Sequence, residues 1–161
     1  MEVDQFAGVF QLLDKRLKMD VLKVFFQDIP IPERYGIFRI IYADMEYNFI
    51  NIDQNFLIQC LHDRFKSVEH KKAIQQLKQT IHSDIITIYR GEGRESSPSD
   101  EAYSWTLSET VADYFANRFK PKGKVYEAKV RVEDVIDYIT HRDEEEILVT
   151  PSCVRDVKEK K

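Results

Sequence analysis

Ile85-Ile86-Thr87-Ile88-Tyr89-Arg90-Gly91 divides the chain into two kinds of sequence. Every residue from Ile85 to Tyr89 is β-branched or aromatic, so the run reads as a strand, and Arg90-Gly91 ends it. The residues before it are patterned as helix, and those after it mostly as strand.

Working back from Ile85, Ile74, Leu77 and Ile81 mark one helix, and Phe56, Leu57, Cys60, Leu61 and Phe65 mark another. Tyr35, Phe38, Ile41 and Met45 give a third. Phe6, Val9, Phe10, Leu13, Leu17, Val21 and Val24 give the first in chain order, which Pro30 and Pro32 stop. Residues 1–82 are therefore expected to be helical.

Working forward, residues 91–100 (GEGRESSPSD) have the composition of an exposed loop, and Ala102-Tyr103-Ser104-Trp105 offers a short strand. Thr106 with Glu109 forms a capping box for a helix whose buried stripe is Val111, Ala112, Phe115, Ala116 and Phe119. Pro121 and Gly123 end that helix. Tyr126, Ala128, Val130 and Val132 alternate with charged residues, the period-two pattern of a sheet with one wet face. Short strands are expected next at Val135–Ile139 and 147–149, and the tail Lys158-Glu159-Lys160-Lys161 reads as a frayed end. Helices first and strands later give an α+β fold in one domain: a helical part, 1–82, packed on a small mixed β-sheet, 83–157.

The 161 residues are 43% hydrophobic and 32% charged, the balance of an ordinary soluble domain with one core. Cys60 and Cys153 match no metal-ligand spacing, nor do His62, His70, His82 and His141, so no metal is expected. The acidic start, Met1-Glu2-Val3-Asp4-Gln5, is unlike a signal peptide. No apolar run approaches the roughly 18 residues of a membrane span, so no membrane partner and a cytoplasmic location are expected. A net charge of −4 gives a nucleic-acid partner no support.

Three features stand in a telling order: Tyr89-Arg90-Gly91 at a strand end, Ser104-Trp105-Thr106 before a helix, and Glu144-Glu145-Glu146 opening Ile147-Leu148-Val149. Singly, each reads more readily as a surface arginine, a turn with a cap, and a solvated acidic loop. As an ordered set over 85–149, they resemble the Arg-Ser-Glu class of ADP-ribosyltransferases, the arginine-modifying bacterial toxins and their relatives. The small stand-alone transferases of phages and toxin systems are similar.

That resemblance implies an NAD-binding core that holds NAD as substrate. NAD requires a cation for its pyrophosphate and a carboxylate beside its nicotinamide ribose. Arg90 offers a planar fork for phosphate oxygens, and Gly91 and Gly93 allow a close approach of backbone and ligand. The resemblance assigns the catalytic carboxylate to Glu146, with Ser104 orienting it, Thr106 shaping the strand end and Trp105 lying at the cofactor site. The carboxylate stabilises an oxocarbenium-like transition state. Glu144 matches the residue that helps an acceptor guanidinium attack. Strand alternation places Glu144 on the side of Glu146 and turns Glu145 away. Tyr138 and His141 fall in the segment that recognises the target protein in that family, while Arg94, Lys120, Lys122 and Lys124 read as solvated loop charges.

The implied activity is mono-ADP-ribosylation of a protein side chain, arginine on the strength of Glu144-x-Glu146. NAD glycohydrolase and a catalytically silent binding protein are the alternatives.

Overall fold

The computed structural model describes residues 8, 10, 12–44, 52–140 and 143–161. Among them are five α-helices and a six-stranded sheet, an α+β fold. The chain divides into two compact units, Met1–Lys72 and Ala73–Lys161.

In the first unit, α1 (Lys15–Phe25) and α2 (Ile31–Asp44) are separated by a short 3-10 turn. The stripe that α1 and the turn bury is Met19, Leu22 and Phe26; Leu17 and Val24, placed inside by the sequence reading, are 52% and 73% exposed. A break at Leu13 and Asp14 separates α1 from the residues before it, and restarting at Lys15 shifts its helical phase. Phe6 and Val9 lie outside the described residues. Pro32 stops nothing, since it occupies the first turn of α2, where the missing N–H has no intrahelical role. Tyr35, Phe38 and Ile41 are buried as their spacing predicts, and Met45 lies outside the described residues. Asp53 caps α3 (Gln54–Asp63) by accepting from Phe56 N at 2.9 Å. Phe65 falls beyond α3 and is exposed, its ring 4.0 Å from the Arg64 guanidinium carbon. The unit boundary falls within α4 (Val68–Thr80).

The second unit is built on a sheet of order β4-β5-β2-β1-β3-β6, comprising β1 (Ile85–Glu92), β2 (Ser104–Thr106), β3 (Lys124–Arg131), β4 (Val135–Ile139), β5 (Glu146–Val149) and β6 (Arg155–Glu159). Every pairing is antiparallel, which corrects the mixed sheet expected from the sequence. The tail is also corrected: Lys158 and Glu159 belong to β6, which pairs with β3. One sheet face carries Ile86, Ile88, Trp105, Ala128, Val130, Tyr138, Ile147 and Val149 into a core shared with Ala73 and Leu77 of α4.

The other face carries α5 (Glu109–Asn117), which lies against β1. A Cβ on Gly91 would sit 1.9 Å from the Ala112 carbonyl oxygen and 2.5 Å from Ala116 N. Gly91 thus admits the backbone of α5, and a helix makes the close approach that was assigned to a ligand. The N-cap of α5 is Ser108, accepting from Val111 N at 3.3 Å, so the cap placed on Thr106 is corrected by two residues, and with Val111 three residues on it is a serine cap without the box. Phe119 lies past the helix end and is exposed.

Candidate active site

Strand register alone assembles a polar row on the sheet face opposite the core. Glu146 of β5 stands opposite Thr106 of β2, Thr106 opposite Tyr89 of β1, Tyr89 opposite Glu127 of β3, and Glu127 opposite Lys158 of β6. Opposed residues of an antiparallel pair share a face, and residues two apart along a strand share it too. Ser104 therefore lies on this face, diagonal to Glu146. Its Oγ–H donates to Glu146 Oε1 at 2.5 Å. Glu146 is half-buried at the first position of β5, where one carboxylate oxygen is fixed by the serine.

Thr106 holds the end of the same strand. Its Oγ1 donates to the Glu144 carbonyl at 2.6 Å and accepts from Ser108 N at 3.0 Å. Leu107 N donates to the Glu145 carbonyl at 3.1 Å, and Val149 N to the Tyr103 carbonyl at 2.9 Å, so pairing of the β2 and β5 segments continues past both strand ends. Glu144 itself precedes β5, and Glu145 has φ of 46°, in the left-handed region. Period-two alternation, used from the sequence to orient Glu144, does not apply across such a residue. Glu144 is half-buried, and its main chain is tied to β2 through Thr106.

Arg90 is 6% exposed and shares the core-facing side of β1 with Ile86 and Ile88. Its Nη1 donates to the Ser104 carbonyl at 2.7 Å, and its Nη2 to the carbonyl and Oγ of Ser97 at 2.8 and 2.9 Å. The guanidinium fork expected to meet a pyrophosphate is thus engaged with the chain, tying β1 to β2 and to the loop carrying Ser97. Trp105 is 2% exposed and faces the core, its indole N–H donating to the Ala102 carbonyl at 3.2 Å. This corrects its placement at a cofactor site: alternation along β2 that brings Ser104 and Thr106 to one face sends Trp105 to the other.

Tyr138 is also corrected. It is 4% exposed and packs on the core side opposite Ile147, where the sequence reading had given it to a recognition surface. Its hydroxyl is pushed above the usual tyrosine range by burial and then by the charge of Glu145. His141 lies outside the described residues. Ser97 escaped the sequence reading, because it is a loop serine and nothing in its spacing marks it as a partner of Arg90. No helix among the described residues is long and apolar enough to cross a membrane. No protein-family model, curated protein or solved structure matches the chain, so the arrangement of Arg90, Ser104 and Glu146 on three adjacent strands is what a function must be argued from.

Proposed function

We propose that the chain cleaves the nicotinamide–ribose bond of NAD and transfers ADP-ribose to a protein side chain, with arginine as acceptor. The observation that carries this reading is the 2.5 Å hydrogen bond from Ser104 to a half-buried Glu146 on the neighbouring strand. A carboxylate held in one orientation by a neighbouring hydroxyl is preorganised, so it stabilises developing positive charge without first rearranging. In the proposed reaction, the bond between ribose C1′ and the nicotinamide nitrogen breaks, nicotinamide departs with the electron pair, and Glu146 stabilises the oxocarbenium-like sugar. The acceptor nitrogen then forms the new bond to C1′, and Glu144 takes its proton. Arg90 acts by holding the Ser104 main chain and the Ser97 loop in place. A cytosolic setting, like that of the stand-alone transferases the sequence resembles, belongs to the same proposal.

Nicotinamide release and transfer of labelled ADP-ribose to lysate protein, measured together, test the reading. The intact chain is expected to do both, and Glu144→Gln to lose transfer while keeping release, because water needs no such base to trap the sugar. Release without transfer in the intact chain would identify an NAD glycohydrolase instead. Absence of both activities would overturn the assignment.

A further inference from the structure

Beyond the polar row, the face of the sheet that carries Glu146 bears a group of exposed cations. Lys129 is two residues along β3 from Glu127 and shares its face, and Arg131 is two residues further. Arg155 of β6 stands directly opposite Lys129, with Thr87 of β1 opposite it on the other side. All four residues are exposed. Arg131 pairs with Glu133 at 2.6 Å, but neither Lys129 nor Arg155 forms an ion pair with any described residue. Like charges directly opposed across a ladder destabilise it.

A better arrangement is one residue away. Glu159 stands opposite Tyr126 and Lys158 opposite Glu127, so a regular ladder would set Asp156 opposite Lys129, acid against base. A bulge intervenes instead: Asp156 adopts a left-handed φ of 54°, and Arg155 takes the place facing Lys129. The chain thereby forgoes an ion pair, holds a left-handed residue that has a Cβ, and opposes two cations. The pairs Lys124–Glu159 and Lys158–Glu127 hold the other end of this ladder. Charges that guard an edge strand account for those on β6; Lys129 and Arg131 lie on β3, which has β1 on one side and β6 on the other. An anion from outside the chain relieves the repulsion that the bulge creates.

We propose that Lys129 and Arg155, with Arg131 beside them, form a docking surface for an acidic segment of a partner protein, whose carboxylates sit between the two opposed cations. The chain's net charge of −4 works against a long polyanion such as nucleic acid, whose charges extend past the cations. A short acidic segment meets the cations alone, because salt screens the rest beyond about 10 Å. β3 is three strand spacings from β5, about 14 Å, so a partner docked here lies beside Glu146. Only that use, presenting a protein acceptor to Glu146, rests on the NAD-cleaving reading; the docking has its own readout.

The experiment measures fluorescence anisotropy of a labelled peptide of alternating Glu and Gly against the full chain, with a Gln–Gly peptide and a single-stranded oligothymidylate for comparison. Lys129→Gln and Arg155→Gln are each expected to weaken binding of the Glu peptide about two- to fivefold at low salt, and together about tenfold. Melting temperature is expected to stay level or rise in each, because substitution removes a cross-strand repulsion. Lys124→Ala, on the other face of β3, is expected to bind as the unsubstituted chain does. Equal binding in Lys129→Gln and Arg155→Gln overturns the proposal, and so does a lowered melting temperature, which would mean that the chain itself compensates these charges. Binding of the oligothymidylate as tight as that of the Glu peptide, or of the Gln–Gly peptide, overturns the choice of partner. With NAD present, a Glu–Gly peptide carrying one arginine is expected to be labelled with a lower KM than its Gln–Gly counterpart, and equal values overturn the link to Glu146. If the unsubstituted chain releases no nicotinamide, the functional reading fails, and anisotropy still decides whether this surface docks an acidic segment.

Discussion

Two seams of the same sheet join strands through polar side chains, and they do so in opposite physical settings. Between β3 and β6, Lys124 meets Glu159 at 2.8 Å and Lys158 meets Glu127 at 2.9 Å. Lys124, Glu159 and Lys158 are exposed, so water screens these pairs and competes for every partner. Between β2 and β5, the contacts are Ser104 to Glu146 and Thr106 to the Glu144 carbonyl, backed by a buried Arg90 on the Ser104 carbonyl. Removing a group there leaves its partner in half-buried surroundings where water replaces it less readily than at the exposed edge. Similar distances thus mark a dispensable edge at one seam and an organised site at the other.

The widest separation between the seams is expected in catalysis. Glu146→Gln should lower nicotinamide release by roughly 10²- to 10³-fold, the scale of one lost transition-state electrostatic contact. NAD affinity measured by calorimetry should change far less. Equal turnover in the two proteins would reduce the β2–β5 seam to a structural one.

Arg90→Lys comes next and separates a structural fork from a point charge. Lysine cannot reach the Ser104 and Ser97 carbonyls with the same planar geometry, so denaturant unfolding should show a loss of about 1–3 kcal/mol from groups left unsatisfied. A variant with unchanged stability but weakened NAD binding would return Arg90 to the phosphate-contacting role inferred from sequence. The smallest effect belongs to the other seam, where Lys124→Ala should leave the melting temperature within error at both low and high salt. A clear, salt-sensitive drop would show that the exposed pairs are not equivalent to solvent contacts.

The same contrast explains what the sequence revealed. Strands with a buried face were legible: β1 begins at Ile85 and β4 spans Val135–Ile139, as their β-branched residues predict. β6 was not legible, because all five of its residues are exposed and main-chain pairing plus surface charge hold it, neither of which has a hydrophobic period. In α1, the stripes containing Leu17 and Val24 or Leu22 and Phe26 both have helical spacing, and periodicity does not choose which one packs. At the site, Ser104, Thr106 and Glu146 could be found because side-chain type and strand position coincide. Arg90 was recognised as important but given a ligand-facing role, since nothing in the sequence records that Ser97 and the Ser104 carbonyl accept from its Nη1 and Nη2. The left-handed backbone at Glu145 escaped because such a residue other than glycine has no signature in composition.

The strand order has a kinetic consequence. β4 pairs with β5, and β2, β1, β3 and β6 are neighbours in turn, so the ladder between β5 and β2 joins these two groups within the sheet, while Val132–Asp134 links them along the chain. Ser104 and Glu146 lie 42 residues apart and meet across that joint. Closing so long a loop is entropically slow compared with forming a local hairpin such as β4–β5, and the pairing of β1 with β3, where Ile85 stands opposite Arg131, closes one as long. The pair is therefore absent from any intermediate in which the two groups have formed but not yet joined. During refolding, recovery of NAD turnover would lag the return of far-ultraviolet circular dichroism, and the lag would time the docking of one strand group onto the other.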